Sequence, residues 1–404
     1  MTQGVGISTR DAELQRLADI QFDVTPIQKS EFKQRISNAC RLMESHNIDA
    51  IYVHAGTNLY YFTGMVWNQS ERMVGAILTS HGKLHFIAPK FEEGTIQDFM
   101  VMESEIHCWE EHESPYSLFI DIIQSQVKSS LRIGLDESTP YFISNGINQL
   151  SKEFELMDAK PITAGCRMRK SNQELAIIQT AMNITIEVQK SIGAILREGI
   201  SSQDICSFAD EAHRTCGAKD GSYFCIALFG PDSAFPHGVR QPKTLQKDEV
   251  VLIDTGCLLH SYISDITRSY VFGNPSDEAT DIWEKEREIQ QIAFESCVVG
   301  KTCSSIDDAV RDALQERNLG PNYLLPGTPH RTGHGIGLNI HEWPYIVKYE
   351  KTVLEQGMTF SIEPMICVPG KFGIRLEDHV FMGDSEGKWF TQPSESIQNP
   401  FNYS

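Results

Sequence analysis

The chain has 404 residues, 41% of them hydrophobic and 9% aromatic, and carries a formal net charge of −19. This length exceeds the usual size of one hydrophobic core, so about two or three domains are expected. The acidic balance argues against nucleic acid as a partner, because a phosphate backbone requires a basic face, and no apolar run approaches the roughly 20 residues that span a membrane.

The cysteines and the N-terminus indicate the compartment. Ten cysteines are scattered without a C-x-x-C pair, and most lie in apolar runs such as YFCIALF. A free thiol in such a run behaves as a small hydrophobic side chain. The segment MTQGVGISTRDAELQRLAD lacks the apolar core of a signal peptide. We therefore expect a protein of the reducing cytoplasm.

The first part of the chain alternates helix and strand patterns. KSEFKQRISNACRLMESHNIDAIYV predicts an amphipathic helix that runs into a strand. Further strands are predicted at VGAILTS, KLHFIAP, SLRIGLD and ELMDA, with a helix around FISNGINQLSKEF. This alternation is typical of an α/β domain. It covers about residues 25 to 160, and we assign residues 1–162 to an N-terminal domain.

A second domain, residues 163–404, begins with a strong helical pattern. Ser171 followed by Glu174 forms a capping box, and the apolar positions after it recur at helical spacing. SSQDICSFADEAHRTCG predicts another helix, capped by its first or second serine. Strands dominate from about residue 223, apart from a helical pair between residues 277 and 318.

Four strand-like runs in this domain each contain one acidic residue. The runs are EVVLIDTG with Asp254, SYISDITRSYVF with Asp265, MTFSIEPMICV with Glu363 and GIRLEDHVFM with Glu377. A buried carboxylate requires a cation or strong hydrogen bonds to offset its lost hydration. One such residue is usually a turn or edge carboxylate, but four in one domain favour a shared cation.

The spacing indicates which side chains face each other. GCLLHSYIS, between Asp254 and Asp265, can turn a hairpin that places both carboxylates opposite each other on one face. Period-two alternation along GIRLEDHV puts Arg375, Glu377 and His379 on one side of a strand.

The segment RTGHGIGLNIHEWP adds His334 as a nitrogen ligand, and its glycines suggest that a bound ligand lies against the backbone. Four carboxylates and one imidazole supply more oxygen than a single Zn²⁺ site normally uses. The set suits two divalent ions, with Mn²⁺ or Co²⁺ more natural than a lone zinc. Two such ions can activate a bridging hydroxide and polarise a carbonyl.

The motifs DTG, SDITR, HGIGL, IEP and RLED, in this order, resemble the pita-bread metallopeptidases. That family includes prolidase, aminopeptidase P, methionine aminopeptidase and the metal-free creatinase. NIDAIYVHAGTNLYYFTG resembles the creatinase/prolidase N-terminal domain, which methionine aminopeptidases lack. The implied fold class is α/β (α+β), with a creatinase-type N-terminal α/β domain followed by a C-terminal pita-bread fold.

The resemblance implies roles for the matching residues. The metal ligands, which would hold two divalent ions per subunit (Mn²⁺, or Co²⁺ or Zn²⁺), are Asp254, Asp265, His334, Glu363 and Glu377. The catalytic residues are His237, His341, Glu363 and Arg375. The residues that contact the substrate are His237, His330, His341, Tyr223 and Arg375.

The function that follows is hydrolysis of the Xaa-Pro bond, foremost in dipeptides, by a hydroxide that bridges the two ions. Three alternatives stay open. One is an aminopeptidase P that acts on longer peptides. Another is a lyase-type enzyme that uses the same metal centre on a small metabolite, because Asn339 and Trp343 depart from the family pattern. The third is a binding module that retains only the fold.

A homodimer is also expected. Trp67 falls in the polar stretch VWNQSER, where a role in the core is least natural, so we expect it at an interface or at the edge of a substrate pocket. In prolidase-like dimers, the N-terminal domain of one subunit closes over the active site of the other. The resemblance therefore implies a dimer that admits only short peptides.

Overall fold

The structure is a computed structural model that describes residues 1–126, 131–151 and 153–404. Ser130 and Lys152, which belong to two of the predicted elements, lie outside the described residues. The chain divides into two compact units. The smaller unit is Ile27–Arg167, and the larger unit combines Met1–Pro26 with Met168–Ser404.

This division differs from the predicted boundary after residue 162 in two ways. Met1–Pro26 packs into the larger unit, where helix α1 (Arg10–Ala18) leaves Leu17 fully buried. The boundary itself moves to residue 167, because the helix that contains the buried Ile162 packs within the smaller unit. Neither feature has a local sequence signal, since a short amphipathic segment does not specify which distant surface covers it.

The smaller unit is a mixed sheet flanked by helices. Its helices are α2 (Lys29–His46), α3 (Thr57–Thr63), α4 (Glu93–Phe99), α5 (Pro115–Gln126), α6 (Tyr141–Leu150) and α7 (Lys160–Arg167). Its strands are β1 (Ala50–His54), β2 (Gly75–Thr79), β3 (Leu84–Pro89), β4 (Glu105–Trp109), β5 (Leu131–Leu135) and β6 (Phe154–Asp158). The strand order is β4-β3-β2-β1-β5-β6, in which β2 runs antiparallel to both of its neighbours.

The predicted strands are present, and their apolar side chains form the core of this unit. Ile77 and Ile133 of the sheet pack in one buried cluster with Phe119 of α5 and Ile147 of α6. The helix predicted around FISNGINQLSKEF is shorter than expected and ends at Leu150. It stops there because the chain must extend into β6, which pairs in parallel with β5.

The larger unit packs helices against antiparallel strands. Its helices, besides α1, are α8 (Asn172–Ile195), α9 (Ser202–Thr215), α10 (Asp277–Glu295) and α11 (Cys303–Glu316). Its strands are β7 (Ser222–Phe229), β8 (Glu249–Leu259), β9 (Tyr262–Ile263), β10 (Ile266–Phe272), β11 (Gly333–Gly335), β12 (Glu342–Ile346), β13 (Thr359–Ile362), β14 (Met365–Val368), β15 (Phe372–Arg375), β16 (Asp378–Met382) and β17 (Gly387–Trp389). They form the sheets β10-β8-β7, with β9 paired to β8, and β12-β11-β13-β16-β17, and the hairpin β14-β15.

The helices of this unit begin as predicted. Ser171 and Glu174 form the capping box of α8, and Ser201, rather than Ser202, caps α9. The Gln189 side chain of α8 donates to backbone carbonyls of β8 and β10, at 3.0 and 2.9 Å, and so ties the helix to the strands. Among the helices of the described ranges, none has both the length and the apolar character needed to cross a bilayer.

The core of the larger unit lies behind the strands that carry the acidic residues. It packs Trp283 of α10 and Ile306 of α11 against Phe360, Ile374 and Val380 of the strands. Each of these strands therefore buries one face in the core. The opposite face is left for the charged side chains.

Candidate metal centre

The predicted metal ligands come from separate strands and meet in one place. Asp254 lies in the middle of β8, and His334 lies in the middle of β11. Asp265 lies between β9 and β10, and Glu377 lies between β15 and β16. Glu363 directly follows β13. Each is at most 9% exposed. Four acidic side chains are thus buried around one imidazole.

The distances show how closely these groups approach. His334 Nε2 lies 3.1 Å from Glu363 Oε1 and 3.7 Å from Asp265 Oδ2. One ligand atom each of Asp265, His334 and Glu377 lies within 4.8 Å of the others. Asp254 belongs to the same group, because its charge, after burial and the charge of Glu377, raises the pKa of Asp265.

The predicted hairpin is present, but its register is not the one expected. Asp254 lies opposite Thr267 of β10, and Asp265 lies two residues earlier, before β10 begins. The prediction that the two carboxylates lie directly opposite each other is therefore wrong. They remain in contact because diagonal neighbours on one face of an antiparallel pair are still within reach.

Arg375 and Thr267 hold the carboxylates in position. The Arg375 guanidinium donates through Nη2 to Asp254 and through Nε to Thr267 Oγ1, the latter at 3.0 Å. The Thr267 hydroxyl in turn donates to Glu377 Oε2 at 2.7 Å. Burial alone would lower the pKa of Arg375, but the charges of the surrounding carboxylates, Asp254 foremost, together outweigh burial and raise it. Thr267 was not identified from the sequence. It lies two residues after Asp265, so the side chains of both residues point to the same face of the sheet.

The donor set fits divalent cations. Within the part of the chain that the structure describes, Asp254 Oδ1, Asp265 Oδ1 and Glu377 Oε1 are buried without a hydrogen-bond partner. Burial, followed by the charges of neighbouring carboxylates, raises the pKa values of Asp265 and Glu377. Such oxygens are costly unless a positive charge lies among them. Carboxylate-rich sites suit hard divalent ions, including Mn²⁺.

His334 is oriented for a ligand role by its other ring nitrogen. Its Nδ1 lies 3.1 Å from the carbonyl oxygen of Gly335, which can only accept, so Nδ1 carries a proton. Nε2 therefore faces Glu363 and Asp265, and offers its lone pair when a cation is bound. Burial would raise the pKa of Glu363, but the charge of His334 and its hydrogen bond lower that pKa.

The glycines on either side of His334 are required by the packing of the protein's own backbone. A Cβ atom at Gly333 would lie 1.9 Å from the carbonyl oxygen of Ser361, and one at Gly335 would lie 2.4 Å from that of Trp343. These close neighbours belong to the protein's own backbone. The interpretation that the glycines make room for a bound ligand is therefore wrong at these two positions. There the missing side chains make room for neighbouring backbone of the same protein.

A cavity of about 450 Å³ opens beside the cluster. Its lining residues are Phe235, Pro236, His237, Gly238, Pro329, His330, Arg331, His334, His341, Glu363 and Arg375. The volume falls within the range of about 300–1,000 Å³ that is common for small-molecule sites. The structure thus brings the predicted His237, His330, His341 and Arg375 to one cavity. It adds Arg331, which the sequence analysis did not identify.

Of the two predicted aromatic residues, one belongs to β7 of the larger unit and the other to the smaller unit. Tyr223, on β7, is 48% exposed and is not among the described residues that line the cavity. Trp67 belongs to the smaller unit and is half-buried, with its ring edge-on to Phe99 at a centroid distance of 6.2 Å.

His341 lies at the solvent side of the cavity, beside the cluster. Its ring meets that of His334 at a centroid distance of 4.2 Å and an angle of 65°. Partial burial, followed by the neighbouring charge of His334, lowers the pKa of His341 to about 4. The ring is therefore neutral at pH 7, where it can donate one hydrogen bond.

A buried ion pair anchors the segment that carries His341. Lys170 Nζ donates to Glu342 Oε1 at 2.7 Å, and the two side chains are 1% and 6% exposed. The other oxygen of Glu342 accepts from the backbone N–H of Asn339 at 3.3 Å. This pair was not found from the sequence, because its members are too far apart in the chain for any local pattern to connect them.

Comparison with known families covers both units. Residues 176–384 match the model of metallopeptidase family M24, and residues 35–169 match that of the creatinase/prolidase N-terminal domain. A curated Xaa-Pro dipeptidase from Pyrococcus furiosus is 28% identical over 369 residues, which are 90% of this chain and 99% of the relative.

Two crystal structures show the same likeness. A recombinant prolidase from Thermococcus sibiricus is 29% identical with a TM-score of 0.78, over 89% of this chain and 97% of the prolidase. The dipeptidase PepE from Mycobacterium ulcerans is 25% identical with a TM-score of 0.84, over 92% and 98% of the two chains. The predicted fold class and the predicted metallopeptidase are confirmed by these matches.

Proposed function

This chain belongs to metallopeptidase family M24, and we propose that it hydrolyses the peptide bond before proline, foremost in Xaa-Pro dipeptides. Relatives named Xaa-Pro dipeptidase support peptidase activity of the prolidase kind. The observation that carries the proposal is the cluster of buried carboxylates around His334 at the wall of a cavity of about 450 Å³. A cavity of this size suits a short peptide.

The proposed metal ligands are Asp254, Asp265, His334, Glu363 and Glu377. They would hold two divalent ions, with Mn²⁺ favoured by the four carboxylates and Co²⁺ or Zn²⁺ as alternatives. When bound, the ions would supply a bridging hydroxide as nucleophile and a positive charge for the scissile carbonyl. Arg375 keeps Asp254 oriented, and its side chain also lines the cavity.

Two residues are proposed for proton and charge handling. Glu363 lies within the cluster and lines the cavity, so its carboxylate would accept the proton of the nucleophile. His341 is neutral near pH 7 and would donate a hydrogen bond to the carbonyl oxygen as negative charge develops on it.

Substrate positioning is proposed for two further histidines that line the cavity. His237 and His330 line the cavity together with Pro236 and Pro329, where they would hold the proline side of the peptide. Tyr223 is exposed on β7, so its proposed substrate contact would need a peptide longer than the cavity holds. A preference for dipeptides therefore predicts little effect of Tyr223 on hydrolysis.

The test is hydrolysis of a panel of Xaa-Pro dipeptides and tripeptides by metal-free protein supplied with Mn²⁺, Co²⁺ or Zn²⁺. We expect metal-dependent cleavage of dipeptides and a strong loss with a third residue. Equal cleavage of tripeptides would instead identify an aminopeptidase P. No cleavage of any peptide, with metal bound at the cluster, would leave the lyase-type alternative, and no bound metal would favour a binding module.

The same proposal includes assembly and location. Trp67, Phe99 and Val66 form an apolar surface on the smaller unit, where Phe99 and Val66 are 51% and 62% exposed. We expect this surface in a homodimer interface that restricts access to the partner subunit's cavity. All ten cysteines are free thiols, which supports a cytoplasmic location.

A further inference from the structure

A second group of metal-binding side-chain types lies in the smaller unit, apart from the cluster of family M24. It consists of His85 on β3 and of Glu105 and His107 on β4, the outermost strand of that sheet. The two strands are parallel, with His85 directly opposite Glu105. Because alternate residues of a strand point to the same face, this register brings all three side chains together.

The donor atoms form a nearly regular triangle. His85 Nδ1 lies 3.1 Å from His107 Nε2 and 3.6 Å from Glu105 Oε2, and His107 Nε2 lies 3.5 Å from the same oxygen. In a tetrahedral zinc site with bonds of about 2.0–2.2 Å, two ligand atoms lie about 3.3–3.6 Å apart. The triangle agrees with one face of such a tetrahedron to within about 0.2 Å, which is the tolerance expected of a metal site.

Hydrogen bonding explains only one side of this triangle. The distance between the two imidazole nitrogens suits a hydrogen bond from one ring to the other. The carboxylate oxygen of Glu105 lies farther from each nitrogen than the roughly 2.7–3.2 Å that is usual for N–H···O. Its position is nevertheless equally close to both rings, as the third ligand of a shared ion would be.

The burial of the group is graded from core to solvent. The side chains of His85, His107 and Glu105 are 3%, 27% and 74% exposed. Burial lowers the pKa of His85, so the ring is neutral at pH 7 and available as a ligand. The exposed side at Glu105 leaves room for a water molecule as a fourth ligand.

We propose that His85, Glu105 and His107 bind one Zn²⁺ ion, with water as the fourth ligand. Two imidazoles and a carboxylate with an open position form a known type of zinc site, whereas Mg²⁺ and Ca²⁺ prefer oxygen ligands. The oxygen-rich cluster of the larger unit favours a different ion, so the two sites differ in selectivity. Zinc here would fasten the outer strand β4 to β3.

The experiment uses the full chain, stripped of metal by a chelator, equilibrated with Zn²⁺, desalted and measured for zinc per chain by mass spectrometry. The variants are His107→Ala and Glu105→Gln, with matched controls at exposed positions of the same unit, His112→Ala and Glu103→Gln. We expect His107→Ala to bind about one zinc fewer than the wild type. Glu105→Gln should bind the same ion at least about 10-fold more weakly, and both controls should match the wild type.

Crystals soaked in Zn²⁺ provide the direct observation. Anomalous scattering at the zinc edge should give a peak within the triangle of His85, Glu105 and His107. No peak there, together with equal zinc affinity of wild type and Glu105→Gln, would overturn the proposal in favour of a hydrogen-bonded histidine pair. Glu105 is mostly exposed, so its variant should fold even if His107→Ala does not. Because Xaa-Pro cleavage is not the readout, failure here is distinct from failure of the proposed function.

Discussion

The rings of His334 and His341 meet edge to face, with their centroids 4.2 Å apart, yet the two residues lie in different environments. His334 is 2% exposed among carboxylates, whereas His341 is exposed at the cavity. They are seven positions apart in the chain, and the segment between them turns back so that Gly335 of β11 pairs with Glu342 of β12. One histidine thus faces the cation-binding cluster, and the other faces the space for substrate.

This arrangement predicts different effects of alanine at the two positions. His334→Ala should lose bound metal and activity together, because it removes a ligand atom. His341→Ala should keep its metal and its fold but lower kcat by roughly 10² or more, as expected for loss of a donor to an oxyanion. Metal content and steady-state kinetics of both variants provide the check, with exposed His112→Ala as control. Equal metal loss in both variants would contradict the assignment.

Asp265→Asn should abolish hydrolysis and reduce bound metal. The amide has nearly the same shape but no negative charge, so it cannot replace a carboxylate that binds cations. Burial and neighbouring carboxylates raise the pKa of Asp265, so the metal-free variant should be at least as stable as the metal-free wild type. Activity, metal content and thermal unfolding should be measured beside Asp308→Asn, an exposed residue of α11. An active variant with full metal would refute the prediction.

Glu342→Gln should destabilise the larger unit and misplace His341. Removing one partner of a buried ion pair costs about 3–5 kcal/mol, because the Lys170 charge stays buried. We expect a lower urea midpoint and a lower kcat, with metal content retained at the catalytic cluster. Asp281→Asn, which breaks an exposed pair on α10, should leave both quantities unchanged. An unchanged kcat in Glu342→Gln would show that the pair does not position His341.

Asp136 should impose a pH dependence on the stability of the smaller unit. Burial raises its pKa from 3.8 to about 6, although hydrogen bonds from Ser138 and from the N–H of His54 oppose the shift. The protonated form is therefore favoured by folding, and this stabilisation is complete below about pH 4 and lost as the pH rises through 6. Between these values the wild type should lose about 2 kcal/mol relative to Asp136→Asn. The check is urea unfolding of both proteins from pH 4 to 7. If the prediction is wrong, the difference between their free energies of unfolding will not change with pH.

Trp67→Ala should raise KM or relax the preference for short peptides, while metal content stays unchanged. The expectation follows from the apolar surface that Trp67 forms with Phe99. Tyr141→Ala, at a 79% exposed aromatic residue of α6, is the matched control. Analytical ultracentrifugation should show a dimer for the wild type. A fully active monomer at micromolar concentration would contradict the prediction.

The features that followed from the sequence were those with a local physical cause. The capping box at Ser171 depends on residues three apart, and it is present. Carboxylates within apolar strands, such as Asp254 and Glu377, predicted a charged cluster because an isolated buried charge is too costly. Period-two alternation also placed Arg375 and Glu377 correctly on the side of the cluster.

The features that could not be predicted from the sequence depend on which distant segment of the chain packs beside a given residue. The glycines at 333 and 335 signalled a close approach, but nothing local showed that Ser361 and Trp343 supply the approaching backbone. The register that sets Asp254 opposite Thr267 continues through β9 and follows from the turn at His260 and Ser261, whose position hydrophobic periodicity does not reveal. Likewise, the partner of Lys170 lies far along the chain.

The packing of Met1–Pro26 into the larger unit has a consequence for biosynthesis. The Thr2 hydroxyl donates to the carbonyl of Val271, and the backbone N–H of Gln3 donates to that of Gln398. Thr2 and Gln3 are therefore synthesised long before the residues that accept their hydrogen bonds, the later of which follows almost 400 residues on, roughly 20–80 s at usual rates of translation. The smaller unit is contiguous and can fold during this interval, before Met1–Pro26 can pack into the larger unit.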